Sequence, residues 1–249
     1  MKTKGFTLIE ILIASFIFMM VIVMATASFA MIKKSNELTT DISKTNECAK
    51  QTENYINMMV RSADFGSSRI VAIDFTDPNY SFVKIDNSVK EAVGFATFKK
   101  SDTPSRTNIN AVVKKADSLN PSHYGYFSLS IEEVDLGDSQ GIIDDTKLAN
   151  AGATLTSAIN DPANSKKIHS NGCAALDPAI AKPTGYDPKD KRFTVRGNKS
   201  YASGPSGQIG THLYSVQLRD LFYNAAATQD QNKAMTRVFV NAVNNLRPI

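Results

Sequence analysis

A chain of 249 residues with 42% hydrophobic and 21% charged residues can bury a sizeable core, which excludes a disordered polymer. Its formal charge is +4, and taking away Lys2 and Lys4 (4 minus 2) leaves +2, too weak a balance to indicate nucleic acid by itself. Two cysteines, Cys48 and Cys173, are too few for a disulfide scaffold and lack the spacing of a zinc or thioredoxin motif, so one bridge or two buried thiols remain open.

Residues 6–32 form an almost unbroken apolar run behind a basic pentapeptide, and the remainder of the chain reads as a water-exposed domain. A secretory signal could be cut near Ala25-Thr26-Ala27, but the run is too long for one and contains Glu10. A plain signal anchor explains the length, with Lys2 and Lys4 retaining the N-terminus in the cytoplasm. It leaves Glu10 unexplained, because a carboxylate at the bilayer centre costs about 2.5 to 3.5 kcal/mol and so needs a partner.

The run Lys4-Gly5-Phe6-Thr7-Leu8-Ile9-Glu10 resembles the cleavage and methylation motif of the type IV pilin family, which includes pilins, minor pilins and type II secretion pseudopilins. The resemblance implies that a membrane peptidase cuts between Gly5 and Phe6 and methylates the new amine of Phe6. Glu10, then the fifth residue, would neutralise the amine of a neighbouring subunit in an apolar filament core. The i, i+4 spacing also lets Phe6 and Glu10 meet within one helix, so the intermolecular role belongs to the resemblance alone. The implied partners are other pilin subunits, the prepilin peptidase, an inner-membrane assembly platform and, before assembly, the membrane itself. The implied localisation is a single-pass membrane protein with a cytoplasmic N-terminus that later enters an extracellular or periplasmic filament.

No Gly or Pro interrupts residues 6–65, so a single helix is predicted there. Leu38, Ile42, Thr45, Ala49, Thr52, Ile56, Met59 and Ala63 recur at intervals of four and three, which places one stripe against a sheet. A coiled-coil seam is the weaker reading, since three of these positions are Thr or Ala. Related pilins often carry Gly or Pro in the membrane half, and here only the β-branched run Val21-Ile22-Val23 offers a place to loosen.

Period-two segments at 69–75, 80–85, 93–98, 124–131 and 212–222 are predicted strands, separated by turn signals such as Asp77-Pro78-Asn79. A helix near 145–159 is expected inside a long irregular insertion at about 137–210, and the C-terminal 230–244 segment is read as helix in preference to strand. The predicted class is α+β: a long N-terminal transmembrane helix packed on an antiparallel β-meander, matching the lollipop shape that the resemblance implies. The chain divides into a cleaved leader at 1–5, a transmembrane and filament-core helix at 6–32, an amphipathic extension at 33–65 and an extracytoplasmic domain at 66–249.

Chemistry-bearing patterns are few. His123, His169 and His212 are scattered, Gly204 to Gly210 lacks the end of a phosphate loop, and Asp135, Asp138, Asp144 and Asp145 lack the spacing of an EF-hand. No catalytic constellation, metal or cofactor is expected. Lys182, Lys189, Lys191, Arg192, Arg196 and Lys199 interleave with Tyr186, Phe193 and Tyr201, a pattern suited to single-stranded nucleic acid, though a solvated surface explains it better. Within the stretch, Lys189, Lys191, Arg192, Arg196 and Lys199 are the candidate DNA contacts. The favoured function is a structural filament subunit, with size and insertion leaning towards a minor pilin; a secretion pseudopilin or a filament-tip adhesion or DNA-binding subunit is the alternative. On the oxidising side of the membrane Cys48, at the edge of the stripe, could bridge to Cys173 and anchor the insertion.

Overall fold

The computed structural model describes residues 7–63, 70–76, 78–85, 87–103, 106–117, 123–136, 144–169, 173–175, 192–204, 207–224 and 236–246. The first element, α1 (Leu8–Arg61), is 54 residues long and so spans roughly 80 Å. It runs without a break through Val21-Ile22-Val23. Ser62 closes it, its N–H donating to the Met58 carbonyl.

The predicted stripe packs only from Thr45 onward. Thr45, Ala49, Thr52, Ile56 and Met59 are buried, joined by Cys48 and Val60, while Leu38 and Ile42 remain 39% and 37% exposed. Threonine is tolerated on this face because Thr45 and Thr52 donate their hydroxyls to the carbonyls of Asp41 and Cys48, one turn back. Small buried side chains in turn let the helix lie close to the sheet.

The strands are β1 (Ile70–Thr76), β2 (Asn79–Val83), β3 (Val89–Ala92), β4 (Gly94–Lys100), β5 (Arg106–Ala116) and β6 (Tyr124–Asp135). After the helix α2 (Asp145–Asn160) come β7 (Ser165–Lys167), β8 (Cys173–Ala175), β9 (Phe193–Gly204), β10 (Gly207–Asn224) and β11 (Thr236–Leu246). Among the described residues they make one antiparallel sheet in the order β2-β1-β4-β5-β6-β8-β10-β9-β3, with β11 on β10 and β7 on β6. The class is therefore α+β, a long apolar helix followed by an antiparallel sheet.

Two cores flank this sheet. On one side Ile56 and Val60 of α1 meet Phe95, Tyr126, Phe193, Phe222 and Val240. On the other, Leu148 and Leu155 of α2 meet Ile73, Phe98 and Ile109. Strands covered on both faces lose the alternating pattern, which is why Ile70-Val71-Ala72-Ile73 is apolar throughout. Two of the sheet's edges, β2 and the branch strand β11, are treated differently. Thr156 of α2 lies against the outer edge of β2, where the Tyr80 N–H donates to its hydroxyl at 3.0 Å. The other edge of β11 has no hydrogen-bonded strand among the described residues.

Two expectations are corrected. Residues 236–246 form a strand, because Val238, Val240 and Ala242 all face α1 while the segment keeps an eleven-residue ladder with β10. The supposed irregular insertion contains, besides the expected helix α2, the strands β7 and β8 and the longest hairpin of the sheet. In that hairpin Gly204 of β9 pairs with Gly207 of β10. Gly197 of β9 is required by contact: a Cβ there would sit 2.0 Å from the Ile85 carbonyl oxygen.

Candidate functional site: the N-terminal stem and its anchor

The apolar half of α1 stands clear of the domain. Leu8, Ile9, Leu12, Phe16, Phe18, Val23 and Phe29 are all more than half exposed, and the helix is long and apolar enough there to cross a membrane. Its hydroxyls are internally satisfied, Ser15 donating to the Leu12 carbonyl, Thr26 to Ile22 and Ser28 to Met24. Such a surface is costly in water and stable in lipid or against other helices.

Thr7 caps this stem. Its N–H and hydroxyl donate to Glu10 Oε2 at 2.8 and 2.9 Å, and the Glu10 N–H returns a bond to the Thr7 hydroxyl at 3.4 Å. The reciprocal arrangement satisfies donors that a helix start otherwise leaves open. Glu10 thus has partners within its own helix, which offsets part of the cost of placing a carboxylate in an apolar medium. Gly5 and Phe6 lie outside the described residues.

At the other end of α1, Cys48 is bonded to Cys173 with Cα atoms 6.5 Å apart, and both residues are fully buried. The bridge ties the helix to β8, which itself pairs with β6 and β10. Nearby, the Asn224 amide donates to Asp41 Oδ1 at 2.7 Å and Thr236 to Asn46 Oδ1 at 2.7 Å. Asn244 donates to the Val60 carbonyl at 2.6 Å, so polar contacts run along the same helix face.

Of the basic stretch, only Arg192 and Arg196 have described side chains. Lys182, Lys189 and Lys191 lie outside the described residues, and the side chain of Lys199 is likewise not described. Arg192 approaches Asp220 at 3.8 Å, and Arg196 is exposed on the outer face of β9, opposite Val89 and Ser215. Asp220, which sequence reasoning missed, is buried and also takes Lys114 Nζ at 2.6 Å and the Tyr126 hydroxyl. The available signal was parity, since Asp220 alternates with Leu218 and Phe222 on the apolar face of β10. Keeping both charges buried requires this pairing, so losing either partner would leave the other stranded.

Of the other candidates, Asp144 caps α2 through the N–H groups of Thr146 and Lys147, and Asp135 pairs with Lys147 at 2.8 Å. Those backbone donors, with the Lys147 bond first, hold the Asp144 carboxyl below its ordinary range. Asp138 and the side chain of Asp145 are outside the described residues. His169 accepts from the Tyr126 N–H at 3.3 Å, His123 stands edge-on to the Tyr223 ring, and the His212 side chain is not described. No group of three metal-ligating side chains occurs among the described residues.

No curated protein and no solved structure matches the chain. Residues 1–26 do match the family model described as the prokaryotic N-terminal methylation motif. With an apolar helix projecting from an antiparallel domain, and with that motif at its start, the chain carries the leader of a type IV prepilin-like protein.

Proposed function

We propose that this chain is a structural subunit, a minor one, of a type IV pilus or related filament. The observation that carries the reading is the stem: some 25 mostly apolar residues, uncovered by the domain and capped by Thr7 with Glu10, begin inside the motif matched at residues 1–26. On this reading the leader 1–5 is removed between Gly5 and Phe6 and the Phe6 amine is methylated. Residues 6–32 span the membrane and then the filament core, 33–65 join core to domain, and 66–249 form the extracytoplasmic domain. Glu10 exchanges part of its Thr7 cap for the amine of an adjacent subunit, pairing two charges that are each costly in an apolar core. The chain performs no catalysis on this reading and works through the peptidase, the assembly platform and its neighbours.

Mass spectrometry of the purified protein tests it directly. A mature chain starting at methylated Phe6 supports the proposal, whereas a start at Ser28 or an intact Met1 overturns it. Glu10→Ala should leave membrane insertion intact and impair incorporation into filaments. A minor role further requires this chain to be a small fraction of sheared filaments. The DNA-contact reading receives less support, because Arg192 is engaged by Asp220.

A further inference from the structure

We propose that the Cys48–Cys173 bridge is made on a half-folded chain, by a thiol–disulfide exchange oxidant that acts before β10 and β11 close over α1. The inference rests on the reading above that the domain is extracytoplasmic, where such oxidants work. Three observations carry it. First, the finished bridge is out of reach: Cys48 and Cys173 are fully buried, as are Ala174 and Ala175 beside the second cysteine. Exchange proceeds through a mixed disulfide. One thiolate of the chain attacks a sulfur of the oxidant's disulfide, and the other then attacks the chain's own sulfur in that intermediate. The Cys48–Cys173 bond forms, and the oxidant leaves as a dithiol, carrying the two electrons and two protons that the chain gives up. Both steps hold a foreign sulfur against a cysteine of this chain, a contact that burial in the closed domain forbids.

Second, strands that shut the bridge in come later in the chain than either cysteine. β10 lies along β8, with Asn224 opposite Cys173 and Phe222 opposite Ala175. β11 adds Val238, Val240 and Ala242 to the core that also holds Cys48 and Cys173. Asn224 bonds to Asp41 and Thr236 to Asn46, both on α1 just before Cys48. Until these strands dock, one edge of β8 and this face of α1 stay open.

Third, the second core needs none of the late residues. Its described members, from Val71 to Ile159, all lie between the two cysteines. Strands β1, β2, β4, β5 and β6 can therefore assemble with α2 first, and β6 then offers an edge to β8, with Tyr124 opposite Ala175. That contact holds Cys173 on the folded half while α1 approaches. The first core, by contrast, draws Phe193, Val195, Tyr214 and Val216 from beyond Cys173, so it is completed last. In a chain exported behind its membrane span, residues 193–246 also emerge after both cysteines.

Two orders of addition on the full-length chain in detergent test it. In one, the reduced, urea-unfolded chain is diluted into oxidised glutathione. In the other it refolds with its thiols reduced and meets oxidised glutathione afterwards, and alkylation with peptide mass spectrometry reads the pairing in both. Pairing should be at least about tenfold slower in the second order, because it then waits for the domain to open. Equal rates, from a reduced chain that shows the circular dichroism of the native protein, overturn the proposal. A reduced chain that gains the native spectrum only after the oxidant is added supports it, since pairing then precedes closure. The bridged chain supplies a second measure: dithiothreitol should leave the bridge intact without urea and open it in urea. Rapid reduction without urea overturns the proposal. Thiol alkylation in cells separates this inference from the reading beneath it. A mature chain starting at methylated Phe6 with both thiols free sinks the staged oxidation alone, whereas free thiols on a chain with intact Met1 bring down both.

Discussion

The two halves of α1 invert the usual relation between apolarity and burial. Residues 8–32 are rich in Leu, Ile, Phe and Met yet uncovered, whereas the half buried in the domain presents Thr45, Cys48, Ala49 and Thr52. The upper half is shaped for a surrounding medium, with apolar groups all round. The lower half is shaped for one partner, with small groups on one stripe. Hydrophobicity alone thus separates lipid-facing from fold-facing helix poorly; the angular width of the apolar surface separates them well.

This contrast predicts a ranking of effects on the stability of the domain, measured by denaturant unfolding of the full chain in detergent with tyrosine fluorescence. Replacing both Cys48 and Cys173 by Ser should have the largest effect. Opening a loop of 125 residues removes roughly 4 to 5 kcal/mol in the chain-entropy account. Ile56→Ala should follow with a loss of about 3 kcal/mol, since its side chain is fully buried against the sheet. Phe16→Ala in the upper half should change unfolding by less than about 0.5 kcal/mol while reducing filament incorporation. A large unfolding effect of Phe16→Ala would break the division between the halves.

The helix caps give the smallest and sharpest comparison. Asp144→Ala should lower domain stability, because α2 covers the second core, whereas Thr7→Ala should leave it unchanged. The Asp144 contribution has a definite pH dependence. Its carboxyl titrates lower in the folded chain than when unfolded, so the stabilisation is complete above the ordinary carboxylate value of about 4. It disappears as pH falls through the depressed value. Wild type and Asp144→Ala should therefore converge in stability under acid and separate near neutrality.

Where one local rule dominates, the sequence was readable. The leader follows from the resemblance of Lys4 to Glu10 to a known motif, the uninterrupted helix and α2 from composition and periodicity, and α2 starts at the residue after its Asp144 cap. Strands failed where local preference and tertiary demand disagree. In β5, Asn108 and Asn110 obscure the alternation of Thr107, Ile109, Ala111 and Val113. In β9, Gly197 interrupts the apolar series after Phe193 and Val195, and its need for a bare backbone against Ile85 is visible only in three dimensions. The β11 parity Val238, Val240, Ala242 was legible, but helical spacing competed with it until the long ladder with β10 decided. The Asp220 cluster joins residues 114, 126, 192 and 220, a meeting that no local pattern announces.

The Cys48–Cys173 bridge also changes how the molecule would bear a pull along α1. Without it, tension on the helix would reach the sheet through the chain after Ser62, entering at β1 and tending to peel the strands apart in sequence. The bridge offers a second covalent route, from near the start of the helix's buried face to β8, between β6 and β10. Residues 49–172 hang outside that route as a closed ring, so their strands need carry little of the load. The sheet would then resist by shearing many hydrogen bonds together instead of unzipping them singly.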